Sequence, residues 1–160
     1  MSVAFTKEES AETAAEIQLP DRPISPHPNL VTANGLKALE EAIADARTAY
    51  DDARQIEDVN ERRRAAAPTL RDIRYFAERI RSAQVIPPPL GTNAAAFGHQ
   101  VTFRRDDGRQ QIFRIVGEDE ADPRSGTISY VSPVARALIG KAVGNVVVAG
   151  DHEIEIMSIA

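Results

Sequence analysis

Apolar positions between Gly35 and Ile86 return at alternating three- and four-residue steps, the spacing of helices that each bury one narrow stripe. Leu36, Leu39, Ile43, Ala46, Tyr50 and Ala53 make one stripe; Leu70, Ile73, Ala77 and Ile80, widened by Phe76, make a second. Between them Gln55 to Arg64 is charged and carries no seam. The pattern predicts an antiparallel coiled-coil hairpin over 30–86 with a polar tip projecting into solvent. Thr32 or Asn34 is the candidate N-cap of the first arm. Pro68 decides where the second arm starts. If that arm begins at Asp58, the proline lies inside it, removes one hydrogen bond and kinks it. A turn at Ala65 to Ala67 would instead give Pro68 the favoured first helical position. It would also leave arms of roughly thirty and seventeen residues, where hairpin partners should match. The start at Asp58 is preferred.

Ile86-Pro-Pro-Pro-Leu-Gly91 ends the hairpin, and 87–97 reads as a linker. Beyond it the period changes to that of strands. Gln100 to Arg105 and Gln110 to Val116 flank Asp106-Asp107-Gly108, a hairpin-turn signal. Thr127 to Val131 is a third strand. Ser132-Pro133 predicts a helix start, serine as N-cap and proline at N1, opening Val134 to Ile139 with Gly140 at its end. Val146 to Val148 and His152 to Ile159 close the set around Gly150-Asp151. Residues 98–160 therefore predict a small antiparallel sheet on one short helix, and the whole chain is α+β.

Ahead of the hairpin, residues 1–29 alternate Glu8, Glu9, Glu12 and Glu16 with small residues, then break any helix with Pro20, Pro23, Pro26 and Pro28. The expectation is a disordered, acidic lead with a stiff extended end. His27 among the prolines reads as solvated. Across 160 residues the hydrophobic share is 42% but aromatics are only 5%, a thin core that suits a chain spending residues on a solvated hairpin. The net charge of −5 argues against tight binding to free nucleic acid. It is uneven: 1–29 carries +2 and −5, 30–86 carries +10 and −10, and 87–160 carries +7 and −9. With no cysteine, disulfides and thiolate metal sites are excluded. No apolar leader or membrane-length run is present in the sequence, so a soluble, cytoplasmic monomer is expected.

Chemistry concentrates at the tip. Asp58 and Glu61 are three apart at a helix start, where Asp-x-x-Glu satisfies orphan amides as a capping box. The same two carboxylates, pointing outward together, are also candidate ligands of a shared metal ion. The two readings are not exclusive. Elsewhere no catalytic constellation is legible. His99 and His152 lack partners at ligand spacing, and Ser125, Ser129 and Ser132 lack a nucleophile-elbow context. The run Glu118-Asp119-Glu120-Ala-Asp122 lacks the spacing and glycine of a calcium loop and reads as a solvated turn.

Arg114-Ile-Val-Gly-Glu-Asp-Glu-Ala-Asp122, then Ile128-Ser-Tyr-Val-Ser-Pro-Val-Ala-Arg-Ala-Leu-Ile-Gly-Lys141 and Val146 to Val148, closely resemble the C-terminal domain of the Gre transcript-cleavage factors. Thr32 to Leu39 and Ser82-Ala-Gln-Val-Ile86 resemble the two ends of the Gre hairpin. The resemblance covers about 30 to 160 and leaves the lead outside. It implies an FKBP-like fold for 98–160, docked on RNA polymerase at the rim of its secondary channel, with Asp119, Ser132, Pro133, Arg136 and Lys141 as the partner-binding residues. It also implies a hairpin entering that channel, where two tip acids help hold a second Mg²⁺ and promote hydrolysis of backtracked RNA. Glu57-Asp58-Val-Asn-Glu61 aligns with the family's tip and places those acids on Asp58 and Glu61. On this reading the chain has no cofactor of its own and is an accessory factor rather than an enzyme.

Two departures accompany the match. Arg62-Arg63-Arg64-Ala65 replaces the family's later tip residues, so arginines that can pair with the acids or meet RNA phosphates lie beside them. Both arms look about one heptad short, which at 1.5 Å per residue is about 10 Å of reach. Short-hairpin relatives, such as the regulator of nucleoside diphosphate kinase, suggest the alternative of a non-cleaving secondary-channel regulator. A prolyl isomerase is the alternative of another class. It is discounted because a fold alone does not confer activity, and because Phe103, Phe113 and Tyr130 are explained by core packing.

Overall fold

A computed structural model describes residues 19–160. Most of the expected disordered lead lies outside the described residues. Two helices, α1 (Ala33–Arg54) and α2 (Val59–Ser82), follow a short strand β1 (Leu30–Val31) and precede another, β2 (Gln84–Val85). They are followed by β3 (Gln100–Arg105), β4 (Gln110–Val116), β5 (Thr127–Ser129), β6 (Val146–Ala149) and β7 (His152–Ile159), with a short helix α3 (Pro133–Leu138) between β5 and β6. The described residues divide into two compact units, one holding 19–25 with Leu39–Arg81, the other holding Pro26–Ala38 with Ser82–Ala160.

In the helical unit the arms match at 22 and 24 residues in their full helices, as a hairpin requires. The second arm starts after Asp58 and keeps Pro68 in its interior, so the start at Asp58 is the one the chain uses. Leu39, Ile43 and Ala53 of the expected first stripe are buried. The second stripe is rotated from the expected one. Leu70 and Ala77 face solvent, and the protected line runs instead through Ala66, Thr69, Ile73, Phe76 and Ile80, with Arg79 fully buried beside it. A buried arginine was invisible to a pattern read from apolar identity, since its long stem packs like an aliphatic chain.

The sheet unit closes around a five-stranded sheet of order β5-β4-β3-β7-β6. β3 pairs with both β4 and β7 antiparallel, and β6 with β7 antiparallel, but β5 joins β4 in parallel. The parallel edge departs from the all-antiparallel expectation. Between β4 and β5 the chain turns through a 3-10 segment (Pro123–Ser125) capped by Asp122, which returns it alongside rather than back. β5 also stops at Ser129, short of the expected Val131, where the chain turns toward α3. Alternation does the rest. Val101, Phe103, Ile115, Ile128, Ile154 and Ile156 point inward and meet Ala135 and Leu138 of α3 in one core.

The same unit contains the entry and exit of the hairpin. β1 and β2 pair in parallel, Leu30 against Gln84 and Val31 against Val85. Just before them Asn29 is buried, its side chain donating to Ser82 Oγ, and the Tyr130 hydroxyl donates to the Pro28 carbonyl. Thr32 caps α1, its Oγ1 accepting from the Gly35 N–H at 2.9 Å and donating to Glu120 Oε2 at 2.6 Å. Glu120 therefore does not sit in a merely solvated turn. Its carboxylate approaches a helix N-terminus, where negative charge is favoured, and Gly35 lets it come close: a Cβ there would stand 2.7 Å from Glu120 Oε2, so the carboxylate would have to shift.

Candidate functional site at the hairpin tip

α1 ends with two closing bonds, Gln55 N–H to Asp52 O and Ile56 N–H to Ala53 O. Four residues, Gln55 to Asp58, then link it to α2. Asp58 Oδ1 accepts from the Glu61 N–H at 2.8 Å, and its carbonyl accepts the first intrahelical bond from Arg62 N at 2.9 Å. Asp58 is thus the N-cap and Glu61 the N3 residue, and the capping reading holds. The reciprocal half of the box is not made: among the described residues the Glu61 carboxylate has no hydrogen-bond partner. Asp58 and Glu61 are exposed, and among the described residues one Asp58 oxygen and both Glu61 oxygens accept no hydrogen bond.

The arginines beside them do not quench these acids. Arg62 bends back and donates from Nη1 to the Ile56 carbonyl at 3.2 Å, tying the tip turn to the first turn of α2. Arg63 and Arg64 stay exposed, and among the described residues none of the three pairs with Asp58 or Glu61. Two carboxylates supply only part of the oxygen shell that Mg²⁺ demands, and no group of three or more metal-ligating side chains is present among the described residues. The donor type fits a hard cation. The number fits only a cation shared with ligands from elsewhere.

The expected partner-binding residues belong to the sheet unit. Ser132 caps α3, its Oγ accepting from the Ala135 N–H at 3.3 Å, with Pro133 at the first helical position. Pro133, Arg136 and Lys141 are exposed, and so is Asp119 in the turn after β4. Parallel pairing sets Val116 opposite Ser129, so the Asp119 turn and the start of α3 leave the sheet at the same end. His99 and His152 each make local hydrogen bonds. His99 is buried, Nδ1 accepting from the Ala96 N–H at 3.0 Å and Nε2 donating to the Gly91 carbonyl at 2.8 Å. His152 donates to Asp106 Oδ1 at 3.0 Å. That bond holds the Asp106 carboxyl below its ordinary range.

A family model described as "Transcription elongation factor, GreA/GreB, C-term" matches residues 90–160. The chain is 43% identical over 95 residues to transcription elongation factor GreB of Neisseria meningitidis, a match covering 56% of this chain and 58% of that one. It is 34% identical over 134 residues to transcription elongation factor GreA of Beijerinckia indica, covering 75% of this chain and 80% of that one. The chain belongs to the GreA/GreB family. It spans little more than half the length of the GreB relatives it matches in sequence. The GreA factor homolog 1 protein of Thermus thermophilus aligns over 84% of this chain at 19% identity with a TM-score of 0.39, too low to carry an argument of its own. The family-model match lies wholly within the sheet unit, whereas the 134-residue GreA match is too long to do so. No described helix is long and apolar enough to cross a membrane.

Proposed function

We propose that this Gre-family chain docks on RNA polymerase through the end of the sheet unit bearing Asp119, Ser132, Pro133, Arg136 and Lys141, and stimulates cleavage of backtracked RNA with the hairpin tip. The observation that carries the reading is the state of the tip acids. Asp58 spends one oxygen on the cap, and the rest of the pair stays exposed and unpaired beside three arginines that leave it alone. A Mg²⁺ bound there with polymerase ligands would supply charge neutralisation at the scissile phosphate and a more acidic attacking water. The chain's own work is positional. Asp58 is locked by its backbone bond, and Arg62 braces the turn behind it, so the carboxylates are presented on a preorganised helix end. The factor would hold no metal by itself and carry no activity of its own.

Arm length favours a second reading. At 1.5 Å per residue, 22 and 24 residues give arms of about 33 and 36 Å. Metal coordination tolerates errors of only tenths of an ångström, so arms that stop short would leave a channel-binding regulator that does not cleave. An FKBP-like isomerase remains the discounted reading. The deciding experiment adds the purified chain to backtracked elongation complexes. Faster release of short 3′ fragments supports the cleavage reading. Binding without acceleration would hand the case to the non-cleaving regulator.

A further inference from the structure

The lead contributes a second recognisable surface. Residues 19–25 belong to the helical unit, and there they run onto α2 with paired, opposite charges. Arg22 donates from Nη1 to Asp72 Oδ1 at 3.2 Å while its guanidinium carbon stands 3.8 Å from the Tyr75 ring centroid and 5.2 Å from that of Phe76. Tyr75 and Phe76 meet edge to face, centroids 5.4 Å apart, and make a two-ring corner for the cation. One residue earlier, Asp21 accepts from Arg74 Nε at 2.6 Å, and Arg74 Nη2 reaches the Leu19 carbonyl at 3.5 Å.

From these contacts we infer that α2 carries a peptide-reading site, built by Asp72, Arg74, Tyr75 and Phe76, whose ligand is an extended Asp-Arg-Pro segment and whose resident occupant is Asp21-Arg22-Pro23 of this chain. The code is reciprocal. The peptide presents minus then plus, and the helix presents Arg74 and Asp72 to them; sliding the peptide by one residue sets like charges together, which fixes the register. Pro20 and Pro23 hold the segment extended before it docks, and a residue preceding proline is itself biased away from helix. Little freedom is therefore lost on binding. The pairs are partly solvated, with Arg22 37% and Asp72 33% exposed. Exposed ion pairs are weak and salt-sensitive. The occupant is thus a strap that can leave and be exchanged.

The test is NMR on the full chain. An arginine side chain over a tyrosine face carries an upfield ring-current shift, and Arg22 should show one, with nuclear Overhauser contacts to Tyr75. Asp72→Arg should abolish both, and Arg22→Asp combined with Asp72→Arg should recover a contact between residues 22 and 72. In the Arg22→Ala chain, which empties the corner, a synthetic peptide of residues 19–28 should shift the Tyr75 and Phe76 signals saturably, and a peptide with Asp21 and Arg22 exchanged should not. Arg22 protons at random-coil positions in the wild type would overturn the site. So would equal binding of the two peptides.

Discussion

The helical unit and the sheet unit reach order by different means. In the sheet unit Val101, Phe103, Ile115, Ala135, Leu138 and Ile156 are essentially inaccessible, and they form one continuous core between sheet and helix. Among the described residues of the helical unit the buried apolar side chains are Leu39, Ile43, Ala53 and Ala66, two of them alanines, and a buried arginine stands among them. Apolar burial of this thinness leaves capping, ion pairs and the strap to define the arms. The sheet unit should therefore answer to lost volume, and the helical unit to lost charges and caps.

The largest effect expected is in the sheet core. Ile115→Ala removes a wholly buried side chain against α3 and should cost about 2–5 kcal/mol, read from chemical denaturation. A change below 1 kcal/mol would mean the core can collapse around the loss and the contrast is weaker than drawn. Next comes Gly117→Ala. Its Cβ would stand 2.2 Å from the Leu30 carbonyl oxygen, so the backbone must move where β1 passes the end of β4. Destabilisation by about 1–3 kcal/mol is expected, as for other overpacked sites, with amides of β1 and β2 exchanging faster.

Thr32→Ala tests a cap within the sheet unit, where α1 begins. It removes the α1 cap and the partner of Glu120, and about 1 kcal/mol should be lost, measured by the thermal midpoint. Smallest is the acid response of Asp106. Its carboxyl is lowered first by the His152 hydrogen bond, then by the Glu153 amide, the His152 charge and the Asp107 amide, against some desolvation. A lowered folded pKa gives stability that is present above the ordinary aspartate range and is lost as pH falls through the folded value. Asp106→Asn should thus be less stable than wild type near neutrality, with the gap closing in strong acid. Denaturant midpoints taken from about pH 2 to 7 check this, and a gap that widens toward acid would contradict it.

How much of this was legible in the sequence follows the same contrast. β3 and β4 sit where strict alternation put them, and Ser132-Pro133 opens α3, because period two and a serine cap are local signals. The parallel edge β5 was not legible, since nothing local says which way a strand returns after a capped turn. On α2 the apolar residues are so sparse that two stripes were compatible with them, and Arg79 took the buried line. The Asp58 cap was readable from spacing; the bend of Arg62 onto Ile56 was not, because three consecutive arginines look alike until one finds a carbonyl. The docked end of the lead was equally hidden, with Arg22 and Asp72 50 residues apart in the chain.

The central claim is that the tip acids do more than cap a helix, and Asp58→Asn tests it most directly. Asparagine caps about as well as aspartate, so hairpin stability and polymerase binding should stay close to wild type, while one charged ligand is lost. In a backtracked-complex assay with purified polymerase, the account predicts cleavage slowed at least tenfold at unchanged binding. Wild-type cleavage by the Asp58→Asn chain would contradict it and reduce Asp58 to a cap.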